Sequence, residues 1–419
     1  MSGHERYMKI SSKERKILLR KLSEENVIRK RKRKACAVHM LYRMFWLLPL
    51  CKKKIVFTTF EGSGGFCCNP RYIAEEMIKR GSEYEMIWLV NNMERQFPKG
   101  IRKVKNTFLN RVYHLATAKV WVDNSRKEYG TAKRKGQLYI QTWHAALILK
   151  PVGKFRGKLF PRMAYLVSRY DSKLIDYVIS NSVWCTKRYP KMLLYNGNVI
   201  ETGSPRCDIF STKREQLYKE IRDRYHIPED AKIVMFAPTF RGGSQKGKRQ
   251  VFTEEITLDF EAVRRALKDR FGGEWYVLLR LHPQLSAYLK EVPLKNKSAR
   301  MVDVSQADDM NEIMAAADVL ITDYSSSAFD AINMYIPVFL YIDDLDEYIQ
   351  ERGRLMWDIE KLPFSTARTN EELTKNIIEF NEAEYTKTVD VFSRRHGVVE
   401  DGKASGRVVD IIEEFIGQK

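Results

Sequence analysis

From residue 55 onward, short apolar runs alternate with amphipathic stretches along the chain. The apolar runs suit buried strands and the amphipathic stretches suit surface helices, a βαβ rhythm that is typical of a mostly parallel sheet. In the first half of the chain this pattern predicts a helix over 71–80 and strands over 55–60, 86–90, 120–123, 138–143, 177–180 and 199–202.

A second series of the same kind begins after Arg206. It predicts a helical segment from Glu371 onward, preceded by strands over 232–236, 275–281, 318–322 and 338–341 and helices over 210–225, 260–271, 310–317 and 326–335. Two consecutive series predict an α/β protein with two Rossmann-like halves that face a cleft. We therefore divide the chain into an extension over 1–54 and domains over 55–205 and 206–419, with the last helix free to pack back on the first domain.

The N-terminal extension carries most of the charge. The 419-residue chain has a formal net charge of +20, which indicates an anionic partner such as nucleic acid, an anionic membrane or a phosphorylated substrate. Residues 1–54 hold 17 Lys and Arg against 4 Glu, a net +13. The apolar stretch 35–50 is too short to span a bilayer, and its basic flanks predict a helix lying on anionic lipid. A solvated tail with an ordinary buried first helix, or a nucleic-acid arm, remains an alternative.

The six cysteines form neither a CxxC pair nor a Cys/His spacing suited to zinc. A reducing, cytosolic compartment is the simpler interpretation of free cysteines in such a chain. The sequence accordingly predicts no metal site.

Polar side chains follow several predicted strands, at the position where open parallel sheets bind ligands. His144 closes the strand over 138–143 and is either a general base or a structural histidine. Arg241 lies in a glycine-containing loop that is either a phosphate contact or a flexible surface loop. Arg280 and His282 lie at the end of another strand, where together they can hold a pyrophosphate. The alternative is that Arg280 forms an ion pair at a sheet edge.

The run from Thr322 to Ser327 is the most specific of these signals. A strand ends, three serines follow and a helix begins, so that free N–H groups and the hydroxyls of Ser325 and Ser326 can bind phosphate. The alternative is that one serine caps the helix. The glycine-rich segment 62–65 is a weaker signal for a loop that faces the cleft and contacts an acceptor.

These motifs together resemble those of the CDP-glycerol:glycerophosphotransferases that build teichoic acids and related capsular polymers in bacteria. The similarity runs in order from about Lys54 to Arg407. Its elements are Asn69-Pro-Arg71, Gln141-Thr-Trp-His144, Ser180-Asn-Ser182, Thr202-Gly-Ser-Pro-Arg206, Ala237-Pro-Thr-Phe-Arg241, Arg280-Leu-His-Pro283, the segment from Ala317 to Asp330, Arg352-Gly353 and Asp401-Gly-Lys-Ala-Ser405.

The resemblance implies a GT-B-like fold and an enzyme, a CDP-glycerol (polyol) phosphotransferase, at the cytoplasmic face of the bacterial membrane. It implies CDP-glycerol or CDP-ribitol as donor, an undecaprenyl-linked saccharide as acceptor, and CMP as product. Residues 1–54 would attach the enzyme peripherally to anionic lipid, and nucleic acid is not needed to explain the charge. No cofactor is required, although Mg²⁺ stimulation stays open.

The resemblance also suggests roles for individual residues. His144 would deprotonate the acceptor hydroxyl, and His282 would protonate the departing CMP. Asp323 would orient His282 or a ribose hydroxyl. The remaining predicted substrate-binding residues are Thr239, Arg241, Arg280, Ser325, Ser326 and Arg206.

The chain departs from the family pattern at several positions. Ala145 and Ala146 follow His144 where the family has glycine, and Leu362-Pro-Phe364 replaces a Pro-Gly-Pro motif. The transferred polyol phosphate therefore stays open between glycerol, ribitol and another polyol. Two further alternatives are a GT-B glycosyltransferase that uses a nucleotide sugar and a non-catalytic membrane-bound homologue.

Overall fold

The first half of the chain forms a parallel sheet of seven strands. The structure is a computed structural model that describes residues 12–239, 256–281 and 300–417. The strands lie in the order β3-β2-β1-β4-β5-β6-β7, the arrangement of a doubly wound sheet whose direction of winding reverses between β1 and β4. Their bounds are β1 Cys51–Thr58, β2 Glu85–Val90, β3 Ile101–Lys105, β4 Ala118–Asp123, β5 Leu138–Gln141, β6 Tyr177–Ser180 and β7 Asn198–Glu201.

Helices cover both faces of this sheet, as the crossovers of a parallel sheet require. They are α1 Ser12–Phe45, α2 Cys68–Lys79, α3 Phe108–Thr117, α4 Arg162–Asp171 and α5 Val183–Met192. The central strands are apolar on both faces, which is why their short runs were recognisable in the sequence.

The second half repeats the arrangement with six described strands in the order β10-β9-β8-β11-β12-β13, all parallel. The winding reverses between β8 and β11. The strands are β8 Lys232–Ala237, β9 Trp275–Leu279, β10 Met301–Asp303, β11 Val319–Thr322, β12 Val338–Tyr341 and β13 Ser365–Ala367. The helices are α6 Asp208–Thr212, α7 Arg214–Tyr225, α8 Phe260–Phe271, α9 Met310–Ala315, α10 Ser327–Ala331 and α11 Leu345–Arg352.

Three helices end the chain: α12 Asn370–Ile378, α13 Glu382–His396 and α14 Ala404–Gly417. The last one returns to the first sheet, where Val408, Val409 and Ile412 are buried with side chains of β1, β2 and β4. The start of α14 is held by Asp208, whose carboxylate accepts hydrogen bonds from the backbone N–H groups of Ala404 and Ser405 at 3.0 and 2.7 Å. The chain therefore crosses between the two sheets twice.

Buried contacts join the two halves. The Asp309 carboxylate, 1% exposed, accepts from the Cys68 N–H at 2.7 Å and from the Tyr72 hydroxyl at 3.0 Å. Trp184 of α5 stacks on Trp357, which follows α11, with ring centroids 4.5 Å apart and planes 10° apart. These contacts hold the carboxyl ends of the two sheets toward each other.

The N-terminal helix α1 packs on the first half rather than extending free of it. Its side chains Ile28, Ala35, Val38 and Tyr42 are buried. At Gly130, which has a φ of 106°, a Cβ atom would lie 2.6 Å from the Ala35 carbonyl oxygen, so this close approach requires glycine. The end of the predicted extension belongs to the sheet, because β1 begins at Cys51.

The prediction of an α/β protein with two parallel sheets is confirmed, and several element bounds are corrected. The helix predicted over 210–225 is two helices, because Lys213 leaves the helical conformation with φ −137° and ψ 9°. The helix predicted over 326–335 is α10 followed by a 3-10 turn. The strand predicted over 138–143 ends at Gln141.

Candidate functional site

The strand order reverses at one point in each sheet, and two neighbouring strands end side by side there. In the first sheet, the ends of β1 and β4 place Thr59 beside Asn124. In the second, the ends of β8 and β11 place Pro238 beside Asp323. Crevices of this kind at the carboxyl ends of strands are the usual ligand sites of doubly wound sheets. Several of the predicted site residues lie at these two crevices.

A strained turn after β5 directs His144 toward the first crevice. Trp143 has a φ of 52°, a left-handed conformation that bulky residues seldom adopt. Its backbone is fixed on both sides: its N–H donates to Gln141 Oε1 at 2.8 Å, and its carbonyl accepts from Asn69 Nδ2 at 3.0 Å. The strain is held by neighbouring residues and sets the direction of the next side chain.

One hydrogen bond determines the tautomer of His144. Its Nδ1 lies 3.0 Å from the backbone carbonyl oxygen of Asn124. Because a carbonyl oxygen only accepts, Nδ1 carries the proton and donates it, and Nε2 keeps its lone pair. This is the form in which an imidazole can accept a proton.

The cleft also keeps His144 uncharged. The side chain is exposed to the cleft, yet the surrounding walls remove part of its hydration and lower its pKa to about 4. The hydrogen bond to Asn124 opposes this shift, and the positive charges of Arg206, Arg126 and Lys150 add to it. The ring is therefore a neutral base at pH 7.

At the second crevice a carboxylate holds the backbone of the opposite strand. Both oxygens of Asp323 accept from the Thr239 N–H, at 2.9 and 2.8 Å. Thr322 Oγ1 donates to the Ala237 carbonyl at 2.7 Å. Asp323 is 2% exposed, so it shapes the end of β8 from within.

The serine run lies at the same edge of the second sheet. Ser325 and Ser326 are partly exposed, and Ser325 Oγ accepts from the Ser327 N–H at 3.3 Å. Helix α10, which follows, has only five residues, so its dipole is small and any bound anion would depend on individual N–H and hydroxyl groups. The capping alternative and the phosphate-site prediction use the same atoms.

Arg280 follows the end of β9 and is held by the segment after β10. Its guanidinium donates to the Val304 and Ser305 carbonyls at 2.8 and 2.6 Å, and burial lowers its pKa. The charges that act on it include Asp309 and Arg95, so it lies near the boundary between the halves. Strand β9 is an inner strand, because β10 pairs with it on one side and β8 on the other. The alternative that Arg280 forms an ion pair at a sheet edge therefore does not fit.

Arg206 lies where the first half passes into the second. Its guanidinium forms two hydrogen bonds of 2.9 Å with the Asp330 carboxylate, and the side chain is 3% exposed. Its backbone N–H donates to Asn69 Oδ1 at 3.1 Å. This placement favours a structural joint over the predicted substrate contact. Arg241 and His282 lie outside the described residues.

Three residues with roles in this arrangement had no predicted function. Asn69 links Trp143 to Arg206, Asn124 fixes His144, and the ring of Phe60 lies beside His144 with centroids 5.5 Å apart. Asn69 belongs to a motif that was recognised, and Asn124 follows a predicted strand end. A polar residue immediately after an apolar run was thus the only available signal for Asn124.

The part of the chain that the structure describes contains neither a metal-ligand cluster nor a membrane-spanning helix. Across 12–239, 256–281 and 300–417, no group of three His, Cys, Asp or Glu side chains is placed to hold a metal ion. Within the same ranges no helix has both the length and the apolar character that crossing a bilayer demands.

Comparison with known proteins gives a consistent set of matches. Residues 40–414 match the sequence profile of CDP-Glycerol:Poly(glycerophosphate) glycerophosphotransferase. The teichoic acid poly(glycerol phosphate) polymerase of Bacillus subtilis is 29% identical over 89% of this chain and 50% of its own length. The teichoic acid poly(ribitol-phosphate) polymerase of Bacillus spizizenii is 30% identical over 91% of this chain and 60% of its own length. The chain thus spans about half to three-fifths of these two relatives.

The fold is similar to that of a solved protein as well. The wall teichoic acid polymerase TagF, in a histidine-to-asparagine variant soaked with CDPG, superimposes with a TM-score of 0.77 at 26% identity. The match covers 94% of this chain and 98% of that one.

Proposed function

Because the chain belongs to the CDP-glycerol:poly(glycerophosphate) glycerophosphotransferase family, we propose that it transfers a polyol phosphate from a CDP-polyol to a hydroxyl group of a lipid-linked saccharide or polymer. CMP leaves in this reaction. The two doubly wound sheets that face a cleft correspond to a GT-B-like arrangement, with the acceptor against the first half and the donor against the second.

The state of His144 is the observation that carries this proposal. A neutral imidazole at the crevice of the first sheet, with Nδ1 donating to the Asn124 carbonyl, has a lone pair on Nε2 for an incoming hydroxyl. A general base must reach the proton that it removes and be unprotonated at the working pH. His144 is unprotonated at neutral pH, which meets the second condition. It is also open to the cleft, so that a hydroxyl group can come within reach of it.

The transfer is a single displacement at phosphorus. The acceptor oxygen bonds to the β-phosphorus as its proton passes to His144 Nε2, and the bond from that phosphorus to the CMP oxygen breaks. His282 would return a proton to the departing CMP. The protein contributes mainly position and charge in such a reaction, and Arg280 and Arg241 are the cations assigned to the pyrophosphate.

The donor would lie along the edge of the second sheet. Asp323 holds the Thr239 N–H and so fixes the backbone at Thr239, just after β8. The partly exposed hydroxyls of Ser325 and Ser326 are assigned to the donor phosphates. CDPG in the TagF variant supports a CDP-polyol donor, and the names of the two bacillar relatives keep both glycerol and ribitol open.

The product of the reaction tests this function. Purified protein is incubated with a synthetic lipid-linked saccharide and CDP-glycerol, CDP-ribitol or a UDP-sugar, and the acceptor is analysed by mass spectrometry. We expect one or more units of polyol phosphate to be added from a CDP-polyol. Transfer from the UDP-sugar alone would establish the glycosyltransferase alternative, and no transfer from any donor would leave the non-catalytic one.

Attachment to anionic lipid is the second part of the proposal. One face of α1 is buried, and the other exposes Met40 at 67% and Met44 at 64%, followed by Leu47 at 90%. Helix α3 adds Leu109 at 60%, and the side chains of Arg29 to Lys34 are exposed. An apolar surface beside a basic cluster suits a peripheral position on an anionic bilayer, at the cytoplasmic face.

Vesicle sedimentation tests this attachment without removing the packed helix. We expect a Met40→Ser, Met44→Ser, Leu47→Ser variant to lose binding to phosphatidylglycerol vesicles. The control is Ile378→Ser, Val391→Ser, which changes two side chains of about half exposure on α12 and α13. Equal binding by the two variants would refute the assignment of this surface.

A further inference from the structure

An aromatic ring lies beside the proposed base at the opening of the first crevice. The ring centroids of Phe60 and His144 are 5.5 Å apart, with planes inclined at 56°. Phe60 remains 38% exposed, although only the buried Thr59 separates it from the end of β1. The fold therefore presents a phenyl face to the cleft where a reacting group must approach His144.

The position of the Phe60 ring depends on an unfavourable backbone conformation. Phe60 and Glu61 have φ values of 46° and 56°, a left-handed region that such side chains seldom occupy. The Phe60 N–H donates to Asn124 Oδ1 at 2.8 Å, and the Glu61 N–H donates to Ser125 Oγ at 3.0 Å. Conformations of this kind persist when their surroundings over-determine them, and they concentrate at functional sites.

Gly64 leaves the room that the ring occupies. A Cβ atom on Gly64 would lie 2.6 Å from Phe60 Cδ2 and 2.9 Å from Thr59 Oγ1. Any other residue at this position would displace the phenyl ring from its place beside His144. Gly64 in the glycine-rich segment after β1 thus allows the Phe60 ring to occupy this position.

Asn124 connects the ring to the base. Its side-chain oxygen accepts from Phe60, and its backbone oxygen accepts from His144 at 3.0 Å. Asn124 is fully buried at the end of β4. The backbone of Phe60 and the imidazole of His144 are consequently both bound by a single residue.

We propose that Phe60 is the platform on which the acceptor lies, and that it binds a neutral polyhydroxylated segment, a sugar ring or a polyol chain. The C–H face of such a segment packs on the phenyl ring while one hydroxyl points to His144 Nε2. The negative face of an aromatic ring disfavours phosphate, so the anionic parts of the substrates are directed away from it. This inference rests on the proposed function, because it assigns the acceptor side of that site.

Calorimetric binding of an acceptor in the absence of donor tests the platform apart from turnover. The probe is a synthetic disaccharide linked to a short-alkyl pyrophosphate. We expect Phe60→Ala and Phe60→Leu to bind it about fivefold to tenfold more weakly, the size of one aromatic contact, and Phe60→Tyr to bind it as the wild type does. Near-UV circular dichroism checks that each variant is folded.

Tyr335→Ala is the matched control. Tyr335 also has a left-handed backbone, with a φ of 56°, and an aromatic ring that is 48% exposed. It lies before β12, at the amino end of the second sheet, opposite the cleft. Unchanged acceptor affinity in Phe60→Ala and Phe60→Leu, equal to that of Tyr335→Ala, would overturn the proposal.

The transfer assay separates this inference from the proposed function. If the wild type transfers nothing from any CDP-polyol, the function fails, while the binding ratios still decide the role of Phe60. If the wild type is active and binding is weakened, we expect Phe60→Ala to raise the KM for the acceptor by the same factor and to leave the Kd for CDP-glycerol unchanged.

Discussion

The two crevices share a topology and differ in what they present. At the first, a side chain faces the cleft: His144 is directed by a strained turn and fixed by the backbone carbonyl of Asn124. At the second, the charged side chain turns inward: Asp323 is buried and holds the Thr239 N–H. Equivalent ends of equivalent sheets thus present the proposed base in one half and a shaped backbone in the other.

This difference suggests why a duplicated architecture suits a two-substrate reaction. A hydroxyl acceptor needs a base, and a nucleotide donor needs hydrogen-bond donors and positive charge. In the proposed reaction each requirement would be met by the few residues after one strand, on a sheet of the same architecture. Substitutions at each crevice can test the two proposed roles separately.

The largest effect is expected at the first crevice. His144→Ala should lower kcat for CMP release by about 10²–10⁴-fold, the range of a general-base contribution, because Nε2 is the only assigned proton acceptor. The control is His226→Asn, which changes an exposed histidine in a left-handed helix cap to a residue that tolerates this conformation. Nearly wild-type release by folded His144→Ala would place the base elsewhere.

The joint between the halves should matter most for stability. Arg206→Met leaves the Asp330 carboxylate buried without its partner, and we expect the free energy of unfolding to fall by about 3–5 kcal/mol. Urea denaturation followed by tryptophan fluorescence measures this loss. A double variant, Arg206→Met with Asp330→Leu, should recover most of it, since no unpaired charge remains. Equal instability of the single and double variants would contradict a role as an ion pair.

A smaller and more selective effect is expected at the second crevice. Asp323→Asn weakens the hydrogen bonding to the Thr239 N–H, and we expect the KM for the donor to rise about tenfold, the size of one lost charge-assisted contact. Steady-state kinetics with each substrate varied in turn measures it. The control is Asp318→Asn, because Asp318 accepts from the Ile233 N–H at 2.7 Å at the opposite end of β8 and β11. If both variants change the donor KM equally, the change is caused by weaker pairing of β8 with β11 and not by the shape of the second crevice.

The smallest effect concerns pH. The surrounding walls of the cleft remove part of the hydration of His144 and lower its pKa to about 4. The proposed base acts only when unprotonated, so we expect activity above this pKa and its loss as the pH falls through it. We expect the acid limb of kcat/KM to lie closer to pH 4 than to the ordinary histidine value of 6.5. An acid limb at pH 6.5 in protein that circular dichroism shows to be folded would contradict this.

The lowered pKa of His144 also affects the stability of the folded protein. The unfolded chain binds the His144 proton more readily than the native one, so this residue reduces stability progressively as the pH falls from 6.5 toward 4. His144→Gln, which cannot take up a proton, should show a shallower loss of stability over that interval in chemical denaturation.

Much of the fold was predictable because central parallel strands are continuous apolar runs. The strands β6 and β12 were predicted with their observed bounds, as was helix α8. The edge strand β3, Ile101–Lys105, alternates with basic residues and was missed. Strands β10 and β13 have three residues each, too few to form a pattern. Helix α5 was missed as well, and it contains Pro190.

The site was predictable only where chemistry stands beside an apolar run. His144, Asp323 and the serines follow predicted strands, so their types and positions could be recognised. The roles of Asn69 and Asn124 come from contacts with residues 20 to 137 positions away, and no local pattern records them. Phe60 was missed because its left-handed backbone is imposed by Asn124 and Ser125 rather than by its own sequence.

The stacked pair of Trp184 and Trp357 provides the molecule with an internal optical reporter. Two indoles 4.5 Å apart and nearly parallel couple their electronic transitions, and one belongs to each half. Any hinge movement that separates the halves must uncouple them. The circular dichroism of the coupled indole transitions in the unlabelled protein therefore reports whether the two halves stay in contact here, with Trp357→Phe as the spectrum of the uncoupled state.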